Sequence, residues 1–176
     1  MKKIIICWMF LFLTGCIQQS VKININNIAM KLTSSAFTSN TNLPAKYTCD
    51  GQGINPPLLI SEVPTNAQSL ALISDDPDAP SGTFVHWLVW NIDPKTTEIK
   101  ENSVPVGSNL GKTSAGRTGY IAPCPPSGTH RYTFKLYALD IKLDLTPNAG
   151  KDNLDKTMQG HILDSAEIIG LYQRTK

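Results

Sequence analysis

The chain carries almost no excess charge: its 176 residues hold 16 lysines and arginines against 14 aspartates and glutamates. Two of those bases, Lys2 and Lys3, precede an apolar run from Ile4 to Leu13, and without them the balance is 14 to 14. A neutral domain lacks the basic face that releases counterions from a phosphate backbone, which excludes nucleic acid as a partner. Cysteine is scarce, four residues in all, and histidine scarcer, with three. Further ligands at zinc-site spacing are missing near Cys49 and Cys124, so no structural metal is expected. Gly111-Lys112-Thr113 lacks the earlier glycine of a phosphate-binding loop, and no Gly-x-Ser-x-Gly elbow presents a nucleophile. The Ile4 to Leu13 run is too short to cross a bilayer as a helix.

That run has instead the form of a signal-peptide apolar region behind a charged start. It ends in Leu13-Thr14-Gly15-Cys16, which resembles the lipobox of bacterial lipoproteins. Residues 1–15 therefore read as a lipoprotein signal peptide, Cys16 as the lipid-bearing residue, and 16–30, rich in Asn and Ile, as a tether, with a first edge strand as the alternative for the part from Ser20 to Met30. The expected location is exported and membrane-anchored, on the periplasmic or cell-surface side. Residues 31–176 suffice for one domain with a real core. Cys49 and Cys124 are the pair left in that exported domain, and an even pair favours a disulfide over two separately buried thiols.

The body of the domain reads as short strands. Leu58-Leu59-Ile60 is one; Leu70 to Asp76 is another, with Leu70, Leu72, Ser74 and Asp76 on one face and Ala71, Ile73 and Asp75 on the other. Phe84 to Ile92 is a third, with His86 expected to share a face with Phe84, Leu88, Trp90 and Ile92. A fourth runs from His130, where His130, Tyr132, Phe134, Leu136 and Ala138 form the apolar side. Before it, Pro123, Cys124, Pro125, Pro126 and Gly128 forbid helix and ladder alike and make a shaped wall. Asp76-Pro77-Asp78-Ala79-Pro80 is a compact acidic turn, and 102–119 a long irregular loop. Leu154, Met158, Ile162, Leu163 and Ala166 recur at helical spacing, predicting a helix over 153–165 capped by Asp152 or Asn153, followed by a short strand near 168–172. One helix among many strands predicts a mainly β domain, a β-sandwich with a C-terminal helix.

In order along the chain stand Tyr47-Thr48-Cys49-Asp50-Gly51, Asn55-Pro56-Pro57-Leu58, the DPDAP turn at 76–80, and HWLVWNI at 86–92. Gly119 to Tyr132 follow, then Gly160-His161-Ile162-Leu163 and Gly170-Leu171-Tyr172-Gln173-Arg174. This ordered set resembles the phosphatidylethanolamine-binding protein family, in particular its bacterial Raf kinase inhibitor-like branch, from about residue 32 onward. The resemblance implies a Greek-key β-sandwich with a small anion-binding pocket at one end. By matching position, Asp76, Asp78, Pro80, His86, Pro126, His130 and Tyr132 line or support it. It also implies a small anion or phospholipid head group as ligand, or a kinase- or protease-like partner modulated through the surface. The chain departs from the family's frequent Ser at Asn55, Trp at Ile60 and Gly at Ala122.

The residues themselves agree with such a pocket. A carboxylate that holds one ring nitrogen of a histidine fixes its tautomer, and Asp76 is placed to orient His86 or His130 with the other N–H toward an anion. Affinity is then expected to rise as pH falls toward the ordinary histidine value of about 6.5. Asp76, Asp78, His86 and His130 could also make a two-histidine carboxylate metal set. The paired prolines speak for shape over ligation, so neither metal nor cofactor is expected, nor is an enzyme. Homodimerisation through an exposed strand edge would be ordinary for such an architecture.

Overall fold

The computed structural model describes residues 29–174. Residues 1–15, Cys16 and the tether up to 28 lie outside the described residues. Nine strands and one α-helix make up the domain: β1 (Lys31–Thr33), β2 (Thr41–Asn42), β3 (Leu58–Ser61), β4 (Ser69–Asp76), β5 (Phe84–Ile92), β6 (Glu98–Ile99), β7 (Asn109–Leu110), β8 (His130–Leu139), α1 (Lys151–Met158) and β9 (Ile162–Tyr172). A three-stranded sheet has the order β1-β3-β6, and a six-stranded one the order β2-β9-β8-β4-β5-β7. The domain is mainly β with a single α-helix, as expected.

All eight residues of β4 are buried, because its two faces serve two different apolar layers. Leu70 and Leu72 join Leu32, Leu58, Ile60, Ile99, Trp87, Phe134 and Leu136 in a core shared by both sheets. Ala71 and Ile73 pack with Leu88, Trp90, Leu154 and Met158, a second core beneath α1. Met30 is also buried in the first core, and its backbone N–H donates to Asp164 Oδ2 at 2.7 Å.

Strand β5 departs from the single face expected for Phe84, His86, Leu88, Trp90 and Ile92. Opposite β4, Asp75 faces Val85 and Ser74 faces Trp87, so His86 is an extra residue in the ladder. A second register shift lies between Val89 and Ile92, where Asn91 takes a left-handed φ of 56°. Each bulge flips the alternation beyond it. Trp87, Val89 and Ile92 therefore face the sheet-to-sheet core, Val85, Leu88 and Trp90 face α1, and His86, the extra residue, is buried against Phe84 and Tyr132.

The C-terminal region corrects the expected helix. Only Lys151–Met158 is helical in this region, its N-cap residue being Gly150, whose backbone N–H donates to the Asn153 side chain at 3.4 Å. Gly160, at φ 83°, ends it, and 162–166 belong to β9, which pairs antiparallel with β8 along the whole of that strand. The ladder overrides a helical spacing that was fortuitous beyond Met158, and the strand expected near 168–172 begins already at Ile162. Within 102–119, β7 pairs with Val89 and Trp90, so that loop carries a short edge strand.

Candidate functional site

Asp76 ends β4 and His130 begins β8, on adjacent strands, so the sheet itself brings carboxylate and imidazole together. His130 Nδ1 lies 2.7 Å from Asp76 Oδ2, and both side chains are almost fully buried. The other oxygen, Oδ1, accepts the Asp78 backbone N–H at 2.9 Å, closing the DPDAP turn on its own first side chain. His86, at its bulge, puts Nδ1 2.7 Å from the Ile121 carbonyl oxygen, while the Ile121 N–H donates to the His86 carbonyl at 2.9 Å. The proline-rich wall is thereby tied to β5 by a side chain and a backbone bond at the same residue.

These partners settle the tautomers. A carbonyl oxygen and a carboxylate only accept, so each histidine carries its proton on Nδ1. Neither Nε2 is hydrogen-bonded among the described residues, and in the neutral ring Nε2 is an acceptor. The free N–H expected from the sequence thus exists only once the imidazole is protonated. Burial pushes the pKa of His86 down, against the Ile121 carbonyl and the charges of Asp76 and Asp75, which push it up.

Tyr132 stands between the histidines. Its ring centroid is 5.3 Å from that of His86, edge to face, and 6.4 Å from that of His130, nearly parallel. The Tyr132 hydroxyl is buried and makes no hydrogen bond of full geometry among the described residues, although Asp76 lies close enough to act on it. Burial, with the Asp76 charge second, raises its pKa, so it stays a neutral donor. Phe84 closes the far side of His86 at 4.9 Å. The cluster holds an unused donor, two acceptor nitrogens that become donors on protonation, and one buried carboxylate: a set suited to an anion arriving with a proton.

The remaining sequence-predicted residues are placed around that cluster. Asp78 points at Arg131, whose Nε and backbone N–H both donate to Oδ2 at 2.9 Å while Nη2 reaches Oδ1 at 2.6 Å. Arg131 thereby holds the Asp78 carboxyl at about 2, and the pair pins the acidic turn to β8. Pro80 is exposed at the turn, and Pro126 is exposed in the loop that leads into β8. Cys49 and Cys124 are joined by a disulfide with Cα atoms 5.4 Å apart, beside a bond from the Cys49 N–H to the Pro123 carbonyl at 3.0 Å. Gly51 backs onto the Ala45 carbonyl so closely that a Cβ would sit 2.2 Å from its oxygen, which explains the glycine of the Tyr47 to Gly51 motif. Asn55, buried, donates to the Pro56 and Lys100 carbonyls and accepts from the Ser103 N–H, a structural post.

Residues that the sequence did not single out are Phe84, Ile121, Arg131 and Tyr172. Tyr172 is paired across the β8–β9 ladder with His130, and its hydroxyl donates to Asp50 Oδ2 at 2.7 Å. The only sequence signals were Arg131 next to His130 and Tyr172 in the final motif. Among the described residues no group of three or more His, Cys, Asp or Glu side chains is arranged to hold a metal ion. No described helix is long and apolar enough to cross a membrane.

Comparison with known proteins places this architecture. The profile of the family described as phosphatidylethanolamine-binding protein matches residues 33–173. A UPF0098 protein of Methanothermobacter thermautotrophicus is 50% identical over 150 residues, covering 82% of this chain and 99% of its own. A UPF0098 protein of Pyrococcus horikoshii is 49% identical over 150 residues, 80% of this chain and 75% of its own. Among solved structures, a putative phosphatidylethanolamine-binding protein homologue of Chlamydia trachomatis superposes with a TM-score of 0.81 at 42% identity, covering 84% of this chain and 99% of that one. YbcL of Escherichia coli, described as a new member of the mammalian family, gives 0.78 at 27% identity, covering 83% and 99%. The ordered motifs, the β architecture and these matches agree: the chain belongs to the phosphatidylethanolamine-binding protein family.

Proposed function

We propose that the protein binds a small anion, a phosphate group above all, at the cluster of Asp76, His86, His130 and Tyr132. The observation that carries this reading is the Tyr132 hydroxyl, buried without a hydrogen bond of full geometry between two imidazoles whose Nδ1 atoms are both pinned from behind. A buried donor left unmatched is costly, and an anion oxygen is what satisfies it. Asp78 and Arg131 then position the turn, while Pro80 and Pro126 shape the entrance. Binding rather than turnover fits the side chains: Cys124 is oxidised, and no hydroxyl or thiol is hydrogen-bonded to either histidine among the described residues.

The signal peptide and Cys16 complete the proposal, setting the pocket on an envelope lipoprotein close to a bilayer, where the phosphate of a lipid head group or of a small phosphate ester supplies the anion. A diacylglyceryl mass on an N-terminal Cys16 peptide of the purified protein supports the anchor, and an unmodified Cys16 refutes it. Exposed Val104 and the nearly bare Val106 favour a second reading, in which that loop modulates a partner protein.

Calorimetric titration with phosphate and phosphorylethanolamine tests the site. Saturable heat is expected from the wild type and none from a folded His130→Ala variant. Equal heat from both, or none from the wild type, refutes the pocket. If a partner is modulated through the surface, His130→Ala leaves that activity intact.

A further inference from the structure

A large cavity lies beside the histidine cluster rather than at it. It measures about 1070 Å³ and runs between Asn42, Leu43 and Ala45, the loop tip 126–129, and the strand end 172–174. A phosphate ion fills a small part of such a space, which lies at the upper end of the roughly 300–1,000 Å³ typical of small-molecule sites. The two places adjoin. Tyr172 lines the cavity and is the cross-strand neighbour of His130, while Thr129 lines it and precedes His130 in the chain.

The chemistry of the lining narrows what fits. Asn42, Ser127, Thr129 and Gln173 contribute amides and hydroxyls. Thr129 Oγ1 donates to Gln173 Oε1 at 2.9 Å, which leaves the Gln173 amide N–H groups and the lone pairs of Thr129 open. Arg174 is held by Asp50, which also accepts from Tyr172, so no unengaged carboxylate awaits an amine there. Apolar lining comes from Leu43, Ala45, Pro126 and the ring of Tyr172, a surface suited to the C–H faces of a sugar or polyol. Mixed amide and hydroxyl donors and acceptors, with the one cation, Arg174, already paired to Asp50, are what hydroxyl groups match, since each both donates and accepts.

We infer that this groove seats the organic part of the ligand, and that the ligand is a phosphate ester of a polyhydroxylated alcohol, a sugar or polyol phosphate. This rests on the anion reading of the adjoining cluster. The phosphate sits at the histidines and Tyr132; the hydroxylated body lies past Tyr172 against Thr129 and Gln173.

Calorimetry on the protein at one fixed pH, with inorganic phosphate, glucose 1-phosphate and a short-chain phosphatidic acid, separates the outcomes. Glucose 1-phosphate is expected to bind at least about tenfold tighter than phosphate, a gain of about 1.4 kcal/mol. Ser127→Trp, at an exposed position of the groove, should abolish that gain and leave phosphate unchanged. Gln173→Ala should reduce it several-fold, again sparing phosphate. Phosphate binding with no preference for the sugar ester overturns the groove assignment alone, as does a gain that survives Ser127→Trp in folded protein. Phosphatidic acid outcompeting the sugar ester assigns the groove to lipid and overturns it too. No binding of any of the three overturns the anion reading beneath it.

Discussion

Sulfate affinity should rise by up to about tenfold for each pH unit between about 7.5 and about 5.5, following uptake of one proton per anion bound. Sulfate is the informative probe because it stays a dianion throughout and brings no proton of its own. His86 is held neutral by burial, with Nδ1 on the Ile121 carbonyl, so its Nε2 repels an oxyanion until the ring is protonated. The bound anion favours the imidazolium and raises the pKa that burial had lowered. The groups acting on His86 are Asp76 and Asp75, which support its charge, and His130, which opposes it. Phosphate, able to arrive singly protonated and donate to Nε2, should show a shallower slope. A flat sulfate profile contradicts this mechanism.

The same shift fixes the sign of a stability change. The folded pKa of His86 lies below its unfolded value of about 6.5, so the unfolded chain takes up the proton first. Above that value His86 contributes nothing. As pH falls through it, the anion-free protein loses stability, until the folded ring is protonated as well. Melting temperature should therefore fall on mild acidification without sulfate, and fall less with it.

Asp76→Asn should cost about 1.5–3 kcal/mol of stability by weakening charge-assisted bonds to His130 Nδ1 and the Asp78 N–H at a buried position. It should also weaken sulfate binding by about tenfold or more. The second effect discriminates. If Asp76 merely repelled incoming anions, its neutralisation would tighten binding. If it orients His130 and supports the imidazolium, neutralisation loosens it. Urea unfolding gives the first quantity and calorimetry below about pH 6.5 the second. Tighter sulfate binding by a folded Asp76→Asn protein would sink the assigned role.

Much of this site was legible in the sequence because its residues fall on strands with plain alternation. β4 and β8 have the expected faces, and Asp76 beside His130 follows from them once the strands pair. The family motifs put Asp76, His86 and His130 in one pocket, and only the pairing of β4 with β8 shows which histidine Asp76 holds. His86 was misread because its place depends on a bulge, and a bulge adds one residue without leaving a mark in the pattern of apolar side chains. The extent of α1 failed for a related reason: Ile162, Leu163 and Ala166 match a helical period, and only the ladder with β8 decides against it. The bond between Asp78 and Arg131 spans 53 residues, and no local pattern encodes it. The direction of the histidine protons depended on which acceptor stands behind each ring, and Ile121 offers only a backbone carbonyl.

The most direct measurement is imidazole nitrogen-15 NMR of the protein near pH 6.5, recorded during a sulfate titration. The account predicts that Nδ1 of His86 and His130 carries a proton throughout, while Nε2 of His86 shifts from acceptor-like to protonated values as sulfate saturates. His161, paired with Asp140 on the surface, should not move. Saturation by sulfate with the Nε2 signal of His86 unchanged would contradict the anion site.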